Sequence, residues 1–364
     1  MGATTTEAHV ETEAPFRSKI GCVKELAESS DLTTIPSKYY YSSTSTTALN
    51  LNQQHGFDEQ IPIIDFSLLN SNIPNQRAKV IQDLAKACLD WGFFMVINHG
   101  VPESLMERML GMCTHFFNQT EDDKLQCAEV DVLAPIRFGT SFNPSVDKVF
   151  FWRDFLRVRV HPQFHSLPKP AGFSEISLEY TKRTRQVARE LLKGISESLG
   201  LEECYIDKAM ELESCYQVLI TNLYPPCPQP ELAMGLPPHS DHGLLTLLIQ
   251  NEIGGLQVNH NGKWVNVHPL PNTYLVNTAD HLEILSNGRY KSVLHRALVN
   301  DKATRLSLAV THGPCMDKVV TPVTELVDSA NNPALYHGMT YKEYMEALLS
   351  NHIHPKSLLD RIRV

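Results

Sequence analysis

The chain has 364 residues, enough for one large domain or two and for a sizeable buried core. Its hydrophobic (42%) and charged (20%) fractions are ordinary for a soluble globular protein. A formal net charge of −9, with no dense Lys/Arg block, argues against nucleic acid or an anionic membrane surface as a partner, because both reward clustered positive charge. No run is apolar and long enough for a transmembrane helix. The first residues are polar and acidic (Glu7, Glu11, Glu13) and lack the basic-then-apolar pattern of a signal peptide. The cysteines, Cys22, Cys88, Cys113, Cys127, Cys204, Cys215, Cys227 and Cys315, are scattered without a C-x-x-C, so free thiols and a cytoplasmic location are expected.

Residues 1–57 open with a Thr/Glu-rich tail and contain the run Tyr39-Tyr40-Tyr41-Ser42-Ser43-Thr44-Ser45-Thr46-Thr47, which predicts a mostly flexible leader. Residues 23–29 are a candidate short helix that packs on the body. Order is expected from the β-branched run Ile61-Pro62-Ile63-Ile64-Asp65-Phe66. A helix follows over about 75–91, with Val80, Leu84, Ala87, Cys88 and Trp91 at core spacing. Next come a buried strand over 92–99 and an amphipathic helix over 102–118 carrying Leu105, Met109 and Met112. Residues 131–160 hold Phe138, Phe142, Phe150, Phe151, Trp152 and Phe155, which either line a flat organic substrate or fill the core, the default for aromatics without a polar partner. The longest helix is predicted over 175–199, with a short one at 202–210. From Tyr216 the pattern changes to short β-rich runs over 216–224, 244–249, 255–259, 263–267, 273–277, 293–299 and 305–311. Many short strands with turn signals between them argue a sandwich or barrel. A helix over 340–350 follows near the C-terminus.

The chemistry concentrates between Pro238 and Pro314. His239-Ser240-Asp241 offers an imidazole and a carboxylate two residues apart, which a strand would turn to the same side. His295 is the best candidate for a third ligand. Two imidazoles and one carboxylate suit a non-haem iron(II) site with open positions. Ten residues further on, Arg305-Leu306-Ser307 puts a guanidinium and a hydroxyl on one strand face, a fork fitted to a carboxylate. The apolar Leu308-Ala309-Val310 that follows marks a buried strand, and burying an arginine without a counter-charge costs roughly several kcal/mol. A bound dicarboxylate such as a 2-oxo diacid would supply that charge.

This stretch resembles the catalytic domain of plant Fe(II)/2-oxoglutarate-dependent dioxygenases, the soluble group containing flavonoid, gibberellin, alkaloid and salicylate oxidases. The shared motifs are Asn222-Leu223-Tyr224-Pro225-Pro226-Cys227, His239-Ser240-Asp241, Leu245-Thr246-Leu247-Leu248, Gly254-Gly255-Leu256-Gln257-Val258, Ser286-Asn287-Gly288-Arg289-Tyr290-Lys291-Ser292, His295-Arg296 and Arg305-Leu306-Ser307. The resemblance covers nearly all of residues 58–350. It implies an α+β fold with a double-stranded β-helix (jelly roll) core flanked by α-helices. The implied organisation is a leader over 1–57, an N-terminal helical and β region over 58–210, the catalytic jelly roll over 211–320 and a C-terminal helical extension over 321–364. It implies Fe(II) held by His239, Asp241 and His295. 2-Oxoglutarate would chelate the metal while its distal carboxylate meets Arg305 and Ser307. Tyr224 would add a phenolic hydrogen bond and Asn222 would sit near the metal-side carboxylate. Dioxygen and 2-oxoglutarate are then consumed, giving succinate and carbon dioxide, with ascorbate as reductant, and a hydrogen atom is taken from a small organic substrate. Hydroxylation is the default outcome; desaturation and demethylation start from the same abstraction. A monomer without nucleic-acid or membrane partners is expected. The segment Phe138-Gly139-Thr140-Ser141-Phe142 is implied to border the substrate.

The chain departs from the flavonoid oxidases at Thr311, where they carry a substrate-facing Phe, which predicts a wider or more polar pocket. The other histidines have plainer readings. His99 is a satisfied loop or core residue, His242 points away from the ligand face, His281 beside Asp280 is scaffold, and His352 and His354 are exposed. Three other functions stay open on the same residues. A zinc hydrolase shares the ligand types but gives no reason for Arg305-x-Ser307. A non-catalytic small-ligand receptor has no need of all three ligands. An ascorbate-dependent oxidase relative shares the triad and Arg305-x-Ser307, and dependence of turnover on 2-oxoglutarate would separate it.

Overall fold

The computed structural model describes residues 21–41, 60–129, 131, 133–141, 148–328, 330–350 and 357–364. In chain order the elements are α1 (Val23–Ala27), β1 (Ile63–Asp65), α2 (Pro74–Asp90), β2 (Phe93–Ile97), α3 (Glu103–Phe117), α4 (Glu121–Leu125), β3 (Ile136–Thr140) and β4 (Asp154–His161). Then follow α5 (Phe173–Ser198), α6 (Tyr205–Ala209), β5 (Gln217–Tyr224), β6 (Leu236–His239), β7 (Leu245–Gln250), β8 (Leu256–His260), β9 (Lys263–Asn266) and β10 (Tyr274–Thr278). The chain ends with α7 (Asp280–Leu285), β11 (His295–Ala297), β12 (Arg305–His312), β13 (Val319–Val320), β14 (Met339–Thr340), α8 (Tyr341–Ser350) and α9 (Ser357–Arg361).

An eight-stranded sheet runs β1-β2-β10-β7-β12-β5-β4-β3, and a four-stranded sheet runs β6-β11-β8-β9. Only β1 and β2 pair in parallel within them; the other pairs are antiparallel. The two sheets enclose the jelly-roll interior, and helices α2, α3 and α5 cover the outer face of the large sheet. Helix α5 buries Ile176, Tyr180, Thr184, Val187, Leu191 and Ile195, a spacing of three and four that keeps one stripe inward. That stripe meets Leu219 and Leu223 of β5, Leu245, Leu247 and Ile249 of β7, and Leu306, Leu308 and Val310 of β12. Alternation then turns the intervening residues of the same strands toward the other sheet. All eight cysteines are free thiols.

Most elements read from the sequence are present, with differences. Strands β3 and β4 form a hairpin in a region read only as an aromatic cluster. In β4, Phe155, Arg157 and Arg159 alternate with Leu156, Val158 and Val160, a period of two disguised by arginines on the inward face. Strand β6 and helices α7 and α9 were also not legible in the sequence. Each is at most six residues long, too short for a periodicity to show. Of the aromatics in 131–160, Phe138 lies in the main core and Trp152 packs edge-on against Tyr39 at 5.1 Å, while Phe142 lies outside the described residues. Residues 1–20 and 42–57 of the expected leader also lie outside them.

Residues 21–41 are not detached from the body. Cys22, Val23, Ile35 and Tyr39 are buried, and the Asp154 carboxylate accepts from the backbone amides of Val23 and Lys24, both at 2.9 Å. A carboxylate there satisfies amides that a helix start leaves unpaired. Asp154→Ala is expected to cost about 1–2 kcal/mol in chemical denaturation and to speed tryptic cleavage after Lys24 and Lys38. Unchanged cleavage would show that side-chain packing alone holds the segment.

Candidate active site

A cavity of about 210 Å³ lies between the two sheets. Its lining includes every site residue read from the sequence: Asn222, Tyr224, His239, Asp241, His295, Arg305 and Ser307. The two sheets bring them together by register. His239 ends β6 directly opposite His295 on β11, so their rings lie 4.1 Å apart. On the facing sheet Arg305 pairs with Tyr224, and Ser307 pairs with Asn222. Gly235 lets β6 come this close: a Cβ there would meet the Tyr224 ring at 2.8 Å and the Ala297 carbonyl at 2.9 Å.

Asp241 reaches His239 by a different route from the one expected. Strand β6 stops at His239, and Asp241 lies in the turn beyond it, so no shared strand face aligns the two. Asp241 is held instead by its neighbours. Its carbonyl accepts from the amide of Asp280 at the start of α7 (2.9 Å), and its Oδ2 accepts from Asn277 Nδ2 on β10 (2.9 Å). That leaves Oδ1 at 3.7 Å from His239 Nε2 and 3.5 Å from His295 Nε2.

The donor set fits a divalent metal. His239 Nδ1 donates to the Pro237 carbonyl at 2.8 Å and His295 Nδ1 donates to the Val293 carbonyl at 3.2 Å. A carbonyl can only accept, so both protons sit on Nδ1 and both Nε2 lone pairs face the carboxylate. The three ligand atoms lie within 4.8 Å of one another, and the two Nε2–Oδ1 separations can be spanned by bonds of about 2.1 Å to one ion. Burial, and then the His295 imidazole, lower the His239 pKa. Burial pushes the Asp241 carboxyl up, but His295, His239 and the Asn277 hydrogen bond together outweigh it and hold the group below its usual range. Both groups are thus in the unprotonated form a metal requires. A second grouping, Cys22, Glu25 and Glu121, is a poorer fit. Lys124 already pairs with Glu25 at 3.1 Å, and burial, with Asp154 adding to it, pushes the Cys22 thiol up to about 12.

Arg305 is 1% exposed. Its Nε and Nη2 donate to Gln250 Oε1 at 3.2 and 2.7 Å, and its guanidinium lies 5.1 Å over the Tyr224 ring. Among the described residues no carboxylate pairs with it. Burial lowers its pKa, with Tyr224 acting the other way. Asn222 Oδ1 accepts from Arg153 Nη1 at 2.7 Å, which fixes the amide's orientation.

The other histidines take structural places. His99 Nε2 donates to the Asn272 carbonyl and its Nδ1 accepts from the Val101 amide, both at 3.2 Å. His281 Nδ1 accepts from the Gly243 amide at 3.1 Å and packs edge-on against Tyr341 and Tyr344. His242 is hydrogen-bonded to Tyr341 on α8 at 2.8 Å, although its ring also edges the cavity. His352 and His354 lie outside the described residues. Thr311 lines the cavity, buried, and its hydroxyl has no partner among the described residues, which makes this wall polar where a Phe would be apolar. Arg137, Arg153, Arg157 and Asn277 also line the cavity, and no motif marked them as cavity residues. The period-two pattern of residues 153–160 is the signal that would have found two of them.

Comparison with known proteins agrees with this geometry. Residues 215–314 match the 2OG-Fe(II) oxygenase superfamily, and residues 61–176 match the N-terminal region described as non-haem dioxygenase in morphine synthesis. The rice (Oryza sativa subsp. japonica) protein 2-oxoglutarate-dependent dioxygenase 19 is 47% identical over 84% of this chain and 90% of its own length. DMR6-LIKE OXYGENASE 2 of Arabidopsis thaliana is 39% identical over 90% of this chain and 94% of its own. The crystal structure of JOX2 in complex with 2OG, Fe, and JA superposes with a TM-score of 0.83 at 31% identity, covering 95% of this chain and 98% of that one.

Because Asn277 orients Asp241, Asn277→Ala is expected to weaken divalent-metal affinity about 10- to 100-fold without unfolding the protein. Titration with Mn(II), followed calorimetrically, checks this; wild-type affinity would exclude the positioning role. The chain belongs to the 2OG-Fe(II) oxygenase superfamily and is a 2-oxoglutarate-dependent dioxygenase that uses iron(II).

Proposed function

We propose that His239, Asp241 and His295 hold the iron(II) of this enzyme, and that Arg305, with Ser307, Tyr224 and Asn222, positions 2-oxoglutarate for the oxidation of a small plant metabolite. One observation carries the reading. A fully buried guanidinium faces the same cavity as the His/Asp/His cluster and meets, among the described residues, only neutral partners, the Gln250 amide and the Tyr224 phenol. An arginine in that position needs an anion from outside the chain. A diacid whose other end reaches the metal supplies it.

With iron(II) and 2-oxoglutarate bound, the metal provides oxygen activation coupled to conversion of 2-oxoglutarate into succinate and carbon dioxide. The protein's own part is positional. The Pro237 and Val293 carbonyls fix both imidazole tautomers, and Asn277 fixes the carboxylate. The fork of Arg305 meets a carboxylate in bidentate fashion, and Ser307, two residues along the same strand face, adds a hydroxyl. Apolar walls from Phe93, Leu248, Leu256 and Leu275 keep bulk water from the reacting centre. Hydroxylation is the default outcome, with ascorbate keeping the iron reduced. A cytoplasmic monomer without nucleic-acid or membrane partners completes the reading. In support, no described helix is long and apolar enough to cross a membrane, and the net charge is −9.

Anaerobic titration with Fe(II) and then 2-oxoglutarate is expected to produce the weak visible charge-transfer band of a chelate, and Asp241→Ala or His239→Ala is expected to abolish both band and turnover. A folded, iron-loaded protein that turns over without 2-oxoglutarate would favour the ascorbate-dependent type. Arg305→Lys is expected to raise the 2-oxoglutarate requirement at least tenfold, because a point charge replaces a fork. An unchanged requirement would remove Arg305 from this role.

A further inference from the structure

Helix α8 stands behind the turn that carries Asp241, and its own start is fixed independently of that turn. Thr340 and Glu343 cap it reciprocally: the Glu343 amide donates to Thr340 Oγ1 at 3.2 Å, and the Thr340 amide donates to Glu343 Oε2 at 2.9 Å. The next two amides, of Tyr341 and Lys342, donate to the carbonyls of Lys318 and Met316 at 2.9 and 2.8 Å. Tyr341 and Tyr344 are buried, and with Leu348 they follow the three- and four-residue spacing of one helix face. Tyr344 and Leu348 also line the cavity.

The turn takes its shape from the start of α7. The amides of Ala279, Asp280 and His281 donate to the carbonyls of Leu244, Asp241 and Gly243 at 3.1, 2.9 and 2.9 Å. The Gly243 amide donates in return to His281 Nδ1 at 3.1 Å. The three amides at the helix start are ones that a helix leaves without an intrahelical partner, so the turn carrying Asp241 acts as the cap of α7. A helix of six residues does not hold its own position. The place of Asp241 therefore depends on what holds the first turn of α7.

Two tyrosines of α8 reach that turn. The Tyr344 hydroxyl donates to Asp280 Oδ2 at 2.7 Å. The rings of Tyr341 and Tyr344 pack edge-on against His281, at 4.7 and 4.5 Å between centroids. The Tyr341 hydroxyl is hydrogen-bonded at 2.8 Å to Nδ1 of His242, the residue next to Asp241. A Cβ at Gly313 would overlap the Tyr341 hydroxyl, so this glycine leaves the space through which the tyrosine reaches the turn. Phenylalanine would fill the same volume at either position. What each hydroxyl adds is direction, because a hydrogen bond fixes the orientation of its partner.

We infer that Tyr341 and Tyr344 are positioning residues for Asp241: their hydroxyls, carried on a helix capped at its start, set the place of its carboxylate between His239 and His295 and so the affinity of the site for a divalent ion. The inference rests on the metal site proposed above and adds to it two residues more than a hundred positions along the chain from His239 to Asp241 only by about that distance in sequence, on a separate helix. Linkage makes the effect reciprocal: a helix that tightens metal binding is itself steadied when the metal binds.

The test compares the full wild-type chain with Tyr341→Phe, Tyr344→Phe and the double variant, which keep both rings and remove only the hydroxyls. Mn(II) affinity is measured calorimetrically, and backbone hydrogen exchange over residues 341–348 is followed by mass spectrometry with and without saturating Mn(II). Each single variant is expected to weaken Mn(II) binding at least threefold and the double variant at least tenfold. Mn(II) is expected to slow exchange over 341–348 at least threefold in the wild type and to have no such effect in the saturated double variant. Tyr290→Phe is the control for a merely structural role: it removes a buried hydroxyl that is hydrogen-bonded to Ser198 Oγ at 2.8 Å, and it is expected to leave both readings unchanged. A double variant with Mn(II) affinity within twofold of wild type, wild-type exchange over 341–348 that ignores Mn(II), or an equal loss of affinity in Tyr290→Phe would each overturn the inference. The wild-type exchange comparison needs no variant and decides the matter should the substitutions unfold the protein. A wild-type protein that binds no Mn(II) at all would overturn the proposed site and this inference with it, so the two failures are told apart.

Discussion

Strand β12 is buried on both faces, and the rest of the molecule is arranged around that constraint. Leu306, Leu308 and Val310 point into the helical layer, while Arg305, Ser307, Ala309 and Thr311 point into the cavity. The same division runs through β5, where Leu219 and Leu223 pack on helices and Ile220, Asn222 and Tyr224 face inward. A one-residue slip in β12 would put Arg305 among the helices, and one in β5 would do the same to Asn222 and Tyr224, each turning leucines toward the His/Asp/His cluster. The hydrophobic packing of α5 against the sheet therefore fixes the chemical register of the site as well as the stability of the fold.

The cavity lining is rich in groups that the chain itself leaves without a strong partner. Arg305 has an amide, Arg137 a distant carbonyl, and the Thr311 hydroxyl has no described partner. Around His239, Asp241 and His295 the opposite holds: each has its second atom fixed by a backbone carbonyl or by Asn277. This contrast separates two tasks. Groups that must hold one geometry are tied down by the protein, and groups that must meet an incoming molecule keep their hydrogen-bonding capacity for it. Buried cations of this kind lower the stability of the ligand-free fold, and ligand binding offsets that cost.

The leader segment contributes to the same region from outside. Residues 21–41 lie against the β3–β4 hairpin through Asp154, and Trp152 packs against Tyr39. Asp154 starts the strand whose next residue, Phe155, faces the cavity. The tether thus supports the back of the hairpin that carries Arg137 and Arg157.

Local signals in the sequence were enough for the long helices, for most strands after Tyr216 and for His239, Asp241, His295, Arg305 and Ser307, and the family resemblance added Tyr224 and Asn222; all of these residues line one cavity. They were legible because a buried strand must alternate and a helix must repeat every three to four residues, so the chemistry-bearing side chains stand out against a regular apolar pattern. The route by which Asp241 reaches its partners was not legible, since it depends on Asn277 and on the start of α7, distant in sequence and joined only by tertiary hydrogen bonds. The β3–β4 hairpin was hidden because arginines occupy its inward face, and nothing local says that an inward face can be cationic. That Arg137 stands opposite Arg157, two rows beyond Arg305, follows from strand order and register, which are set by how non-adjacent strands pair and not by any one segment. The sequence by itself determined the residue types and the family chemistry; only the tertiary structure decided which charges share a cavity, because that depends on contacts between strands far apart in the chain.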